Sequence, residues 1–211
     1  MHTHTCKCYH YVHMKQSRIH ELFLSNGGYL RMGQAIKAGI SRSQFYALRD
    51  SGLLVQESRG LYRFAGTPDH PYPDLCAISL RYPKAVLCLV SALSFHDITT
   101  QIPKEISIAL PRGSRTPVMR YPPLHAYFFS IASYDAGIEQ RKIKDIQVRV
   151  YDMEKTIIDC FKFRNQIGMD VFLEAIRLYS AKAKIHPSLL AEYAKTCRVE
   201  KAISPYLEAI L

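Results

Sequence analysis

SRSQFYALRDSG, residues 41–52, is the stretch that decides the fold, because it predicts a short helix with both ends defined. Ser41 is a favourable N-cap residue, and Gln44, three positions later, can complete a capping box. Gly52 suits the left-handed backbone conformation in which many helices end. We therefore expect a helix that begins after Ser41 and ends before Gly52.

The two faces of this helix differ in chemistry. Phe45 and Leu48 are apolar and share one side at helical spacing. The other side carries polar and basic side chains, namely Arg42, Ser43, Tyr46 and Arg49. An exposed helix face of this composition is typical of a recognition helix in the DNA major groove. We predict that these four residues contact base edges there.

The flanking segments indicate a winged helix-turn-helix. Apolar spacing and glycine turns predict two more helices upstream, and β-prone runs around a glycine-containing loop predict a hairpin downstream. The expected elements are helices over residues 15–24 and 29–38 and strands over residues 53–55 and 61–64. We expect this domain over residues 14–66, with Arg59 and Arg63 on the wing against the DNA backbone. The alternative is a small helical bundle with a solvated basic face.

Charge is concentrated in the same segment. Residues 14–66 carry eight Lys or Arg and three Asp or Glu, so a quarter of the chain holds half of the formal net charge of +10. A clustered basic excess is the electrostatic footprint expected for phosphate contact. The predicted partner is therefore double-stranded operator DNA.

Length and composition narrow the class of protein. A chain of 211 residues can hold two small domains, each with its own core. No run approaches the ~18 apolar residues of a membrane span, and no signal peptide is evident, so we expect a cytoplasmic protein without a membrane partner. The six cysteines show no paired zinc spacing, and no metal or cofactor is predicted.

Residues 74–211 predict a second domain, separated from the first by a linker rich in proline over residues 67–73. Periodicity predicts helices over residues 74–82, 84–95, 152–163, 169–181, 187–197 and 199–211, and strands over residues 106–110, 124–130 and 146–151. The fold class is therefore α+β: an N-terminal winged helix-turn-helix, then a mixed α/β domain with a small sheet and a helical C-terminal half.

A basic loop at residues 111–120 interrupts this second domain. Arg112, Arg115 and Arg120 lie among proline and glycine, where loops often carry function. These three arginines could contact a nucleic acid or an acidic protein partner. A solvated loop without a partner is the alternative.

Five short motifs carry a family resemblance: GGY at 27–29, GISR at 39–42, LLV at 53–55, RGLYR at 59–63 and VYDMEKTIID at 150–159. Their order, from about residue 14 to residue 179, resembles the AbiE-type (AbiEi) antitoxins of bacteria. The resemblance implies a winged helix that represses the protein's own operon. It also implies a second domain that counteracts a co-encoded nucleotidyltransferase-like toxin, often without a stable complex. Lys155 stands where the family pattern usually has arginine.

The sequence lacks the motifs that would indicate an enzyme. The chain lacks a phosphate-binding loop ending in Gly-Lys-Ser or Gly-Lys-Thr, and no Asp-x-Asp pair follows Gly113-Ser114 to hold a metal. Among the acids after Tyr151, we interpret Asp152 as a helix N-cap and Asp159 as structural. We expect no catalytic residues. Two alternatives stay open: a stand-alone winged-helix regulator whose second domain senses a ligand or forms a dimer, and an enzyme that acts on nucleic acids or nucleotides.

Residues 1–13 lie outside the resemblance, and we expect a disordered extension that does not bind metal, although they contain four histidines and two cysteines. A protein that starts at Met14 should keep its fold and its DNA affinity. Thermal melts of both lengths, with and without EDTA, test this expectation. A structural zinc site would couple metal binding to folding, so a chelator-sensitive melt of the longer protein alone would contradict it.

Overall fold

The computed structural model describes residues 19–58, 60–65, 72–119, 121–143 and 146–209. The chain divides into two compact units, the first formed by Met1–Arg81 and Lys142–Ile146 and the second by Tyr82–Arg141 and Gln147–Leu211. The predicted fold class, α+β with an N-terminal winged helix and a helical C-terminal half, is confirmed. The expected domain limits and linker stay predictions, and residues 1–13 lie outside the described ranges.

The described part of the first unit has the elements of a winged helix. In chain order they are α1 (residues 19–24), β1 (Tyr29–Arg31), α2 (Met32–Lys37), α3 (Arg42–Asp50), β2 (Leu54–Ser58), β3 (Leu61–Phe64) and α4 (Pro73–Arg81). The strands form an antiparallel sheet in the order β1-β3-β2. The predicted hairpin is therefore confirmed, with β2 reaching three residues further than expected.

The prediction of a helix over residues 29–38 is wrong in its first three residues. Tyr29–Arg31 is a strand that pairs with β3, and the helix begins only at Met32. Gly27 and Gly28 both have positive φ values, of 68° and 85°, and they turn the chain away from α1. Tyr29 and Leu30 are both buried although strand neighbours point to opposite faces. Burial on both faces removes the alternation that would have indicated a strand.

The core of the first unit joins α3 to the sheet. Phe45 is fully buried, and its ring meets the edge of Tyr62 of β3 at a centroid distance of 4.7 Å. Phe23 of α1 and Leu30 of β1 belong to the same cluster. Each such buried side chain contributes roughly 1.5–3 kcal/mol relative to exposure. The orientation of α3 is thus set by packing on the hairpin.

The second unit contains a five-stranded mixed sheet in the order β6-β5-β4-β8-β7. Its strands are β4 (Val86–Leu87), β5 (Ile106–Pro111), β6 (Leu124–Phe129), β7 (Ile138–Ile143) and β8 (Ile146–Tyr151). Its helices are α5 (Leu89–Phe95), α6 (Ile131–Asp135), α7 (Met153–Lys162), α8 (Arg164–Ile167), α9 (Met169–Lys182), α10 (Pro187–Thr196) and α11 (Glu200–Glu208). β5 is antiparallel to β4 and parallel to β6, and β4 is parallel to β8.

Two predictions for this unit need correction. The expected helix over residues 84–95 is a short strand, Val86–Leu87, followed by a helix that begins at Leu89. A short apolar run buried on both faces has no period that separates strand from helix. The strand Ile138–Ile143 was not predicted because its composition, IEQRKI, is that of a charged edge strand.

A buried ion pair lies in the middle of α7. Lys155 and Asp159 have fully buried side chains, and Lys155 Nζ lies 2.5 Å from Asp159 Oδ2. The ammonium group also lies 4.2 Å from the centroid of the Tyr151 ring and 5.0 Å from that of Phe129. A buried charge is tolerated only when it is paired in this way. The interpretation of Asp159 as a structural acid agrees with this contact.

We predict that Lys155→Met lowers the free energy of unfolding by about 3–5 kcal/mol, because it leaves the Asp159 carboxylate buried without its partner. Urea unfolding measures the change. Lys201→Met, at an exposed position of α11, is the control and should change stability by less than about 0.5 kcal/mol. The double variant Lys155→Met/Asp159→Leu should recover most of the loss. Equal stabilities for the Lys155 and Lys201 variants would contradict the role of the pair.

Candidate nucleic-acid interface

The two ends of α3 are held by the residues that the sequence indicated. Gln44 N donates to Ser41 Oγ at 3.2 Å, and Ser41 N donates to Gln44 Oε1 at 3.0 Å, so the capping box is complete. Gly52, just beyond the helix, has a φ of +76°. This local arrangement gives α3 a defined first turn and a defined end, which is what a rigid reading surface requires.

The outer face of α3 is open to solvent. Arg42 and Ser43 are exposed, and 39% of Tyr46 is accessible. Phe45 and Leu48, on the inner face, are buried. The four helix residues that we predicted to contact bases therefore share one accessible surface. We call this surface the α3 face; it consists of Arg42, Ser43, Tyr46 and Arg49.

Arg49 is oriented by two neighbouring side chains. Its Nε and Nη2 atoms donate to Asp50 Oδ1 at 2.9 Å and 2.7 Å. Its Cζ atom lies 4.7 Å from the centroid of the Tyr46 ring. The hydrogen bond to Asp50 raises the pKa of Arg49, which stays charged in any case. Asp50 could not be singled out from the sequence, because adjacent helix residues do not ordinarily face each other.

The wing residues are placed differently. Arg63 lies on β3, the middle strand, and alternation directs its side chain away from the face on which Tyr62 packs under α3. Its Nε atom donates to Glu57 Oε1 at 2.7 Å. Arg59 lies outside the described residues. The structure therefore does not bring Arg63 onto the α3 face.

The basic loop belongs to the second unit. Arg112 and Arg115 are exposed, and Arg112 N donates to Phe129 O at 2.8 Å, which fixes the start of the loop against β6. Arg120 lies outside the described residues. The two described arginines present their charge to solvent from an anchored segment.

The acids considered for catalysis each have a structural contact. Asp152 Oδ1 accepts from Lys155 N at 2.7 Å, which confirms its role as the N-cap of α7, and Tyr193 donates its hydroxyl to Asp152 Oδ2 at 2.7 Å. Loss of solvation on burial raises the pKa of Asp152 to about 6. Glu154 accepts from the Tyr179 hydroxyl at 2.6 Å. These hydrogen bonds tie α7 to α9 and α10.

The described ranges contain no group of three or more His, Cys, Asp or Glu that could hold a metal ion. The four cysteines within them are buried: Cys76, Cys88, Cys160 and Cys197. His96 Nε2 lies 2.7 Å from Tyr151 O, a contact that links α5 to β8. Among the described helices, none has the length and hydropathy of a membrane span.

The described part of the first unit has the fold of a winged helix, with the α3 face on its accessible side. Residues 17–65 match the family model described as "Transcriptional regulator, AbiEi antitoxin", so the resemblance seen in the sequence is confirmed for this part of the chain.

One solved structure is similar over most of the chain. It is the crystal structure of the RV2827C protein from Mycobacterium tuberculosis, which matches with a TM-score of 0.59 and 16% sequence identity. The match covers 88% of this chain and 76% of that one. At this identity the likeness concerns the fold alone. The comparison with curated proteins found no match.

Proposed function

We propose that this chain is the antitoxin of a type IV toxin–antitoxin system. In this proposal the winged helix binds operator DNA and represses the chain's own operon, and the second domain counteracts a nucleotidyltransferase-like toxin. The observation that carries the proposal is the basic, accessible α3 face within a region of the AbiEi type. Such a regulator works in the cytoplasm, where the DNA is, and needs neither a cofactor nor a catalytic step of its own.

The proposed DNA contacts follow from the geometry of α3. Arg42, Ser43, Tyr46 and Arg49 enter the major groove, because an exposed helix of nine residues fits that groove. Arg59 and Arg63 act through the phosphate backbone. For Arg63 this contact competes with Glu57, and a partly exposed pair of this kind is worth on the order of 1 kcal/mol. Arg63 can therefore exchange the Glu57 carboxylate for a phosphate oxygen of DNA at a small cost in free energy.

The second unit supplies the antitoxin activity in this proposal. The basic loop, with Arg112, Arg115 and Arg120, is the surface that we assign to the toxin or to a nucleic acid on which both act. No stable complex with the toxin is required. A toxin gene beside this one would separate the proposal from a stand-alone regulator.

The DNA-binding part predicts a selective effect of Arg42→Ala. This variant should lose about 1–3 kcal/mol of affinity for the chain's own promoter, because a bidentate contact to guanine is removed, and should lose less on random DNA. Arg59→Ala is the comparison and should weaken both duplexes alike. Gel-shift titrations at fixed salt measure all four affinities. Equal losses for Arg42→Ala on both duplexes would remove the base-reading role.

The antitoxin part predicts a separation of functions in the full-length chain. Arg112→Ala/Arg115→Ala should reduce rescue from the toxin while promoter affinity stays within about twofold, because the loop and the α3 face belong to different units of the chain. Arg177→Ala/Lys201→Ala removes the same charge from exposed positions of α9 and α11 and is the control. Growth of cells that express the toxin is the readout. Full rescue by the loop variant would contradict the assignment.

A further inference from the structure

The guanidinium group of Arg49 is restrained on two sides, unlike an ordinary surface arginine. Asp50 accepts two hydrogen bonds from it, and the Tyr46 ring lies beneath it. Helical side chains lean towards the N-terminus, so Arg49 comes to lie over the residue three positions earlier. A surface arginine that is held in this way has already lost much of the rotamer freedom that binding would otherwise cost.

The contact with Asp50 also decides which edge of the guanidinium group remains for another ligand. Arginine has five N–H donors, and Asp50 Oδ1 takes one from Nε and one from Nη2. The remaining donors lie on Nη1 and Nη2, which together form the end of the fork. Two parallel N–H groups on that edge match the O6 and N7 acceptors of guanine in the major groove.

Asp50 stands where a carboxylate is unfavourable for two electrostatic reasons. It is the last residue of α3, near the negative end of the helix dipole, and its side chain is 65% exposed on the recognition helix. On bound DNA its charge would also oppose the phosphates. Removal of the charge alone should therefore increase affinity for any duplex and should not destabilise the helix.

We propose that Asp50 and Tyr46 are positioning residues, which hold Arg49 so that its Nη1–Nη2 edge reads a guanine in the major groove. This inference rests on the proposed function, since it requires that α3 enter the groove. It identifies the recognised chemistry as one G·C pair opposite the C-terminal half of α3. It also predicts that loss of the Asp50 charge weakens the preference for guanine. Electrostatics alone would predict tighter binding to every duplex and no change in preference.

The test is a selection of bound duplexes from a randomised pool, followed by sequencing, with full-length protein. The wild type, Arg49→Ala, Asp50→Ala and Glu57→Ala are compared. Asp50→Ala removes the oxygen that accepts both hydrogen bonds from Arg49, which an asparagine amide would keep. Glu57→Ala is the matched control, because it removes the same charge and also takes a carboxylate from an arginine, Arg63, but on the sheet face turned away from α3. Thermal melts confirm that every variant protein is folded.

We expect the wild type and Glu57→Ala to enrich the same sequence. Arg49→Ala and Asp50→Ala should lose preference for guanine at one shared position, by about tenfold, within the range of a bidentate base contact. Asp50→Ala should bind random duplexes at least as well as the wild type. Tyr46→Phe, which keeps the ring, should retain the preference, whereas Tyr46→Leu should weaken it.

Two results would overturn the inference. The first leaves the proposed DNA-binding function intact, and the second overturns that function as well. If the wild type enriches a sequence and Asp50→Ala enriches it equally, Asp50 does not position Arg49, while the proposed DNA-binding function stands. If the wild type enriches nothing over the starting pool, base reading by α3 fails, and the proposed operator binding fails with it.

Discussion

The contact between Phe45 and Tyr62 is the interaction on which the α3 face depends. It joins the inner side of α3 to the middle strand of the sheet, with 4.7 Å between the ring centroids. Because Phe45 is fully buried, rotation of α3 would expose a large apolar side chain. The direction in which the outer residues point is therefore a consequence of core packing, and a reading surface needs that rigidity.

The first unit has an excess of basic residues, but some of its arginines already pair with carboxylates of the same chain. Arg49 and Arg63 each meet a carboxylate at 2.7 Å, so two of the arginines that the sequence assigned to DNA are already engaged within the chain. The two pairs differ in placement, since Asp50 neighbours Arg49 on α3 and Glu57 lies on β2. Under the proposed function, the same kind of contact therefore has a different consequence in each place.

In the second unit, polar groups in the interior tie the helices together. α7 carries the buried Lys155–Asp159 pair, and its N-cap Asp152 is bonded to Tyr193 of α10. Gly137 packs so closely here that a Cβ atom would lie 2.6 Å from Lys155 Cβ. The acidic motif after Tyr151 thus has a physical explanation in the fold, since each acid satisfies a backbone end, a buried cation or a buried hydroxyl group.

The sequence by itself determined the features that depend on neighbouring residues. Ser41, Gln44 and Gly52 specify the ends of α3, Phe45 and Leu48 specify its inner face, and Asp152 specifies the start of α7. These signals are local, because capping bonds and helical faces involve residues within about one or two turns of one another.

Only the tertiary structure decided the features that depend on distant partners. Two segments are strands because partners far along the chain pair with them: β3 pairs with Tyr29–Arg31, and β5 and β8 pair with Val86–Leu87. Both segments are buried on both faces, so their sequences lack the alternation of apolar and polar residues that indicates a strand. The side chain of Arg63 turned from α3 because Tyr62 took the core side. The Arg49–Asp50 contact joins adjacent residues, yet it depends on side-chain rotamers and on the Tyr46 ring, which spacing in a sequence does not specify.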